Sequence, residues 1–259
     1  MVAGAATTAA AGLAACGTET SAAPSVSGGD GTEGLTLIYP RNAGSSTDGL
    51  VVFSWVEVKP DQWSAALASW TQHRENLYAK YGVPPTEELH ASALIAGRGS
   101  PSENDTFNES QSMRRALVED SLGALGENDS IEIGTVYRRT PERGRAYQTV
   151  KADTFSDLVS SWDDKFSREG RFPMISITGL AITVDHALKA HRLLNEDTKK
   201  VRGNPYHHDG PISQWTQMAD LLAWAAYQGQ RPNQSNDYAW DWYEQKITAS
   251  KPKALVQEF

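Results

Sequence analysis

The run Ile212-Ser213-Gln214-Trp215-Thr216-Gln217-Met218-Ala219-Asp220-Leu221-Leu222-Ala223-Trp224-Ala225-Ala226-Tyr227 is apolar on nearly every side. At about 100° per residue, Ile212, Trp215, Met218, Ala219, Leu222, Ala225 and Ala226 form one broad face, which Leu221 and Ala223 widen. The polar strip that remains is narrow and holds Ser213, Gln217 and Asp220. A helix of this kind is buried. A carboxylate on it is paired with a cation, bound to a metal or protonated, because an isolated buried charge is too costly. What Asp220 faces therefore decides the chemistry of the chain.

Outward from this helix, strand and helix patterns alternate. Leu35–Tyr39 and Leu50–Val58 read as strands close enough to pair as a hairpin across a turn-rich stretch from Pro40 to Gly49. Asp61–Tyr81 places Trp63, Leu67, Trp70, Leu77 and Tyr81 on one side of a helix, started at Pro60-Asp61 and stopped at Gly82. Helices are predicted over Ser110–Leu125, Thr154–Arg168, Asp185–Asn195 and Tyr238–Ile247. Strands are predicted over Ile131–Arg138 and Phe172–Thr178, with a short edge strand at Thr198–Arg202. A hairpin followed by alternating strands and helices predicts an α/β fold with a mixed sheet.

The chain has 259 residues, of which 39% are hydrophobic and 22% charged, enough for one α/β domain and a tail. With 24 Lys+Arg against 32 Asp+Glu, its net charge of −8 excludes general nucleic-acid binding by bulk field. A nucleic-acid contact would need a local patch, such as Arg138, Arg139, Arg143 and Arg145, or Lys199, Lys200 and Arg202; solvated surface charge is the simpler reading of both. Cys16 is the only cysteine, which excludes an intrachain disulfide and a cysteine metal site. No apolar run reaches a membrane-spanning length. Residues 1–34 are Ala, Thr, Ser and Gly almost throughout and read as a disordered tail; residues 249–259 read as a second tail. The expected compartment is the cytoplasm. Leu13-Ala14-Ala15-Cys16-Gly17 resembles a lipoprotein lipobox, so export through Cys16 is the alternative, although no Lys or Arg precedes it.

Four polar groups are candidates for chemistry. Glu88 and His90 are two apart, so an extended backbone points both the same way, where they could ligate a divalent ion or relay a proton. His207-His208-Asp209 lacks zinc-site spacing and reads as a loop. Asp185, before His186, sits where a helix cap belongs, upstream of His191-Arg192. Gln217 and Asp220 form the fourth group, with a structural salt bridge as its plain explanation. Ser, His and Asp residues are present, but no spacing marks a triad, and no phosphate loop or nucleophile elbow occurs.

Taken together, Leu35–Gly44, Glu88-Leu89-His90-Ala91-Ser92, Gly97-Arg98-Gly99, Asn204-Pro205 and Ser213–Asp220 resemble the family called domain of unknown function 3800, over about residues 35–248. The resemblance implies a ribonuclease H-like fold, with a mixed central sheet, an N-terminal hairpin and helices on both faces. It also implies a metal-dependent nuclease, in which carboxylates from the first strand, a middle element and the last helix hold Mg²⁺ or Mn²⁺. The chain departs from that pattern at the acids. Arg41-Asn42 stands where the first-strand acidic pair belongs, Thr178-Gly179 ends the later strand, and Gly203-Asn204 precedes Pro205.

Glu88, His90 and Asp220 remain as catalytic candidates, with Glu88 and Asp220 as metal ligands if an ion binds. Arg41, Asn42 and Gln217 are the binding candidates, toward nucleic acid or a phosphate-bearing ligand. A guanidinium about 4 Å from a divalent ion is repelled by roughly 8 kcal/mol at an effective dielectric of about 20. Arg41 is therefore expected to take the ion's place, its fork facing Asp220 or Glu88, with no cofactor. The expectation is a degenerate nuclease scaffold; a working Mg²⁺- or Mn²⁺-dependent nuclease is the alternative.

Overall fold

The computed structural model describes residues 34–178, 182–208, 213–231 and 234–259. Cys16 and all of the expected tail except Gly34 lie outside them, as does Asp209.

The fold opens on β1 (Leu35–Ser45) and β2 (Leu50–Val58), paired antiparallel with Leu37 opposite Val58 and Ser45 opposite Leu50. The turn-rich reading of Pro40–Gly49 is corrected here, because β1 runs six residues past Tyr39 and the turn narrows to Ser46–Gly49. Proline tolerates a strand where no ladder bond is demanded of its nitrogen. Pairing of β1 with its other neighbour stops at Ile38, so Pro40 faces no partner on that side.

Helix α1 (Pro60–Tyr81) starts with proline in its first turn and ends at Gly82, whose φ of 69° is the left-handed cap that glycine adopts without strain. Short helices α2 (Ala91–Ile95) and α3 (Asp105–Glu109) lead into α4 (Gln111–Glu127). Strand β3 (Glu132–Arg139) pairs antiparallel with β2. Helix α5 (Gly144–Glu169) begins ten residues before the predicted start at Thr154, and Tyr147 and Ala152 are buried in the added turns. Strand β4 (Phe172–Thr178) joins β1 in parallel, and α6 (Val184–Arg192) follows.

The edge strand is β5 (Tyr206–His208), parallel to β4, rather than the predicted Thr198–Arg202. In that segment the amides of Lys200 and Val201 donate to the Asp163 carboxylate and that of Arg202 to the Pro173 carbonyl, so they are spent outside a ladder. Helix α7 (Gln214–Gln230) is the buried helix. The predicted helix Tyr238–Ile247 is instead a 3₁₀ segment, Gln234–Ala239, and a π turn, Glu244–Thr248. Residues 249–259 do not end as a tail, since β6 (Val256–Glu258) extends the sheet beside β3.

Among the described residues the sheet has six strands in the order β5-β4-β1-β2-β3-β6. The alternation of β2 divides the core between its faces. Val52, Val56 and Val58 pack with α1, α4 and α7, while Val51, Phe53 and Trp55 pack with α5 and α6. Helices thus cover both faces of a mixed sheet. Among the described residues no helix is long and apolar enough to cross a membrane.

Candidate functional site

Helix α7 lies across β1 and β2 and is buried from Trp215 to Ala226. Ser213 caps its start by accepting from the Thr216 amide. Trp215 stacks on Tyr39 of β1 at 5.1 Å, which fixes the helix against the strand that carries Arg41. Strand alternation then puts Arg41 on the same face as Leu37, Tyr39 and Ala43, toward α7.

Arg41 and Asp220 meet. Arg41 Nε donates to Asp220 Oδ1 at 3.2 Å, and Arg41 Nη1 donates to Thr178 Oγ1 at 2.8 Å. Arg41 is 7% exposed and Asp220 8%. The other carboxylate oxygen, Asp220 Oδ2, accepts from the Ala91 amide at 3.0 Å and bonds His90 Nδ1 at 2.8 Å. The buried carboxylate is thereby satisfied by a guanidinium, an imidazole and a backbone amide.

Gln217, one turn earlier, accepts from the Leu89 amide at 3.0 Å and from Arg74 Nη1 at 2.6 Å. The amides of residues 89 and 91 thus both reach α7, because a two-residue period in the loop matches a three-residue period on the helix. This lashing holds Leu89 and Ala91 in the core and leaves Glu88 exposed and His90 half-buried, and both line a cavity of about 290 Å³ with Leu94, Arg98 and Pro101. The same-side reading of Glu88 and His90 matches this arrangement. Gln217 itself is 2% exposed and its oxygen is engaged internally. Asn42, opposite Phe53, falls on the sheet face away from α7, so the structure separates it from Arg41.

The electrostatics follow from these contacts. The hydrogen bond to Asp220 raises the pKa of His90 above its ordinary value, against the opposing effect of burial. Burial pushes Glu88 up, with His90 and Arg41 acting to lower it and Asp220 to raise it. Lys151, on α5, is lowered by burial and by the charge of Arg41. His90 Nε2 lies 3.2 Å from Ser92 Oγ, and Arg98 Nη2 lies 3.4 Å from the same hydroxyl. Among the described residues no three His, Cys, Asp or Glu side chains are grouped to hold a metal ion.

Two site-building residues escape a reading based on acids and histidines. Arg74 is 1% exposed and donates through Nη2 to the carbonyls of Pro84 and Glu87, fixing the loop before Glu88. Arg114, also 1% exposed, donates to the carbonyls of Arg98, Gly99 and Asn108. A signal existed for both. Arg74 falls between Trp70 and Leu77 on the apolar stripe of α1, and Arg114 shares the face of Leu117, Val118 and Leu125.

Other candidates sit elsewhere. Asp185 is exposed in the first turn of α6, and the cap is Thr183, which accepts from the His186 amide. His191 is buried, its ring 3.4 Å from the Val201 carbonyl. Of the surface cations, Arg138 pairs with Asp157 and Lys199 with Glu196. No protein-family model, curated protein or solved structure matches the chain.

Proposed function

We propose that the chain is a ribonuclease H-like nuclease scaffold of the domain of unknown function 3800 type, in which Arg41 stands in the place of the catalytic cation. One observation carries this reading: the Arg41 guanidinium bridges Asp220 and Thr178. In the resemblance, positions 41, 178 and 220 are those whose carboxylates would surround a divalent ion. Here they converge on one another with a cation already among them. The mixed sheet that opens in a hairpin, with helices on both faces, supports the same reading.

The consequence is weak or no metal-dependent cleavage. A divalent ion at Asp220 would have to displace a guanidinium hydrogen-bonded in a site under 10% exposed, or bear its repulsion. What remains is a binding site, and Arg41 beside Thr178 favours a phosphate-bearing ligand, nucleic acid included. The test is a nuclease assay with Mn²⁺ on single- and double-stranded DNA and RNA, with Arg41→Asp alongside. The reading predicts no cleavage by the unmodified chain and a gain in the variant. Mn²⁺-dependent cleavage by the unmodified chain would favour the working nuclease instead. Asn42 needs no companion change, because it lies on the other sheet face.

A further inference from the structure

The sheet is open where β4 and β5 meet. Helix α7 lies across β1 and β2, while β4 receives α5 on the opposite face. Side chains of β4 alternate between the two faces, so Phe172, Met174, Ser176 and Thr178 share the α7 side with Leu37 and Arg41. Tyr206 pairs with Ser176 across the β4–β5 ladder and joins that row. Met174 is 41% exposed and Tyr206 64%. Large apolar side chains grouped in solvent on a sheet face mark a binding surface.

The same strip is cationic. The Arg202 guanidinium lies 4.5 Å and the Lys200 ammonium 5.4 Å from the centre of the Phe172 ring. Val201 between them is buried in the core of the other face, its amide held by Asp163, so the side chains at 200 and 202 fall together on the open side. The Arg202 amide donates to the Pro173 carbonyl and fixes this segment along β4. Lys199 is neutralised by Glu196, but among the described residues no carboxylate pairs with the side chain of Lys200 or Arg202. No Asp or Glu occurs in β1, β4 or β5, or anywhere from Thr198 to His208, although the chain carries a net charge of −8. At the other end of the strip Arg41 bonds Thr178. Phe172 to Thr178 spans roughly 20 Å at about 3.3 Å per residue.

We propose that this strip binds a single-stranded polynucleotide, with bases against Tyr206 and Met174 and phosphates at Lys200 and Arg202 and, at the far end, at Arg41. The proposal rests on the reading of the Arg41 site as one for a phosphate-bearing ligand. Two features select the occupant. Cations at both ends of a strip without carboxylates match a polyanion. The exposed aromatic ring and thioether between them match bases, whose faces stack on such groups whatever their sequence. A duplex keeps those faces inside its own stack, whereas a single strand can splay them onto the sheet. An acidic peptide would use the cations and leave Tyr206 and Met174 without a role.

The test is fluorescence anisotropy of the full chain in EDTA with short labelled single strands, oligo-dT and oligo-U in separate arms, beside a duplex of equal length and a glutamate-rich peptide. The expected result is binding of a single strand, tighter than of the duplex or the peptide, and the tighter of the two arms identifies the sugar. Tyr206→Ala should weaken it roughly 5- to 150-fold, the share of one stacked base. Lys200→Ala with Arg202→Ala should lower the slope of log affinity against log salt by about 1.4, two phosphates at about 0.7 each. No binding of either strand, equal binding of the duplex or the peptide, affinity unchanged by Tyr206→Ala, or a salt slope unchanged by the double variant would overturn the proposal. The unmodified chain decides the first two outcomes, so a variant that fails to fold does not leave the question open. The Arg41 reading fails separately. A melting temperature raised by tripolyphosphate in the unmodified chain but not in Arg41→Met, with no strand bound, would overturn the strip alone. Strand binding that depends on Tyr206 but is unchanged in Arg41→Met would overturn the Arg41 reading instead.

Discussion

Arg41 is the residue on which the two accounts of Asp220, as a metal ligand or as a salt-bridge partner, divide. Removing one member of a buried pair strands the other charge. Arg41→Met is therefore expected to cost about 3 kcal/mol in urea denaturation, toward the low end for such changes because His90 and the Ala91 amide still contact the carboxylate. Asp220→Asn keeps an acceptor for Ala91 while removing the charge. The double variant should then be more stable than the sum of the two single losses, by a coupling of about 1–2 kcal/mol. Strict additivity would show that the contact carries no energy. This pair was legible in the sequence, because Asp220 on a buried helix needs a cation and Arg41 stands where the resemblance places acids. The bond from His90 to Ser92 was not, since it depends on the rotamer that Asp220 imposes on the ring.

Among the elements, α7 organises the site and α1 braces it. Arg74 is the brace, joining α7 through Gln217 to the carbonyls of Pro84 and Glu87. Arg74→Met leaves those buried acceptors without a donor and is expected to cost roughly 3 kcal/mol. Hydrogen exchange should show its largest gain at the Leu89 amide, and a gain confined to α1 would contradict the bracing role. On the far face, Trp55 lies over Gly134, where an added Cβ would come within 2.1 Å of the indole. Gly134→Ala must displace a ring also held by Glu57 and Trp162, a loss of about 1–3 kcal/mol measurable as a lower denaturation midpoint. The bodies of the long helices, all of β2 and the first half of β1 were readable from residue pattern, because burial restricts which positions are apolar. The misread elements are those set by distant partners. β1 continues through Pro40 because β2 pairs along its length, Thr198–Arg202 is drawn off by Asp163, and β6 is a strand only because β3 offers an edge.

Across the whole molecule, two histidines shape stability against pH from opposite sides. The folded pKa of His90 is raised above 6.5, so its stabilisation is complete below about that pH and is lost as pH rises through the raised value. Burial lowers His73 to about 4, against Asp120 and with Arg74, so its share is present above pH 6.5 and is lost as pH falls toward 4. Urea midpoints should decline on both sides of neutrality. His73→Gln should flatten the acid limb and His90→Gln the alkaline limb, and a variant that leaves its limb unchanged would refute that assignment. The central claim is that a guanidinium fills the position of a divalent ion. Its most direct measurement is the melting temperature of the full chain with and without millimolar Mn²⁺. The account predicts no shift for the unmodified chain and a rise for Arg41→Asp, about 2.7 kcal/mol of stabilisation when the ion is at a hundred times its Kd. A rise in the unmodified chain that Arg41→Asp fails to increase would contradict it.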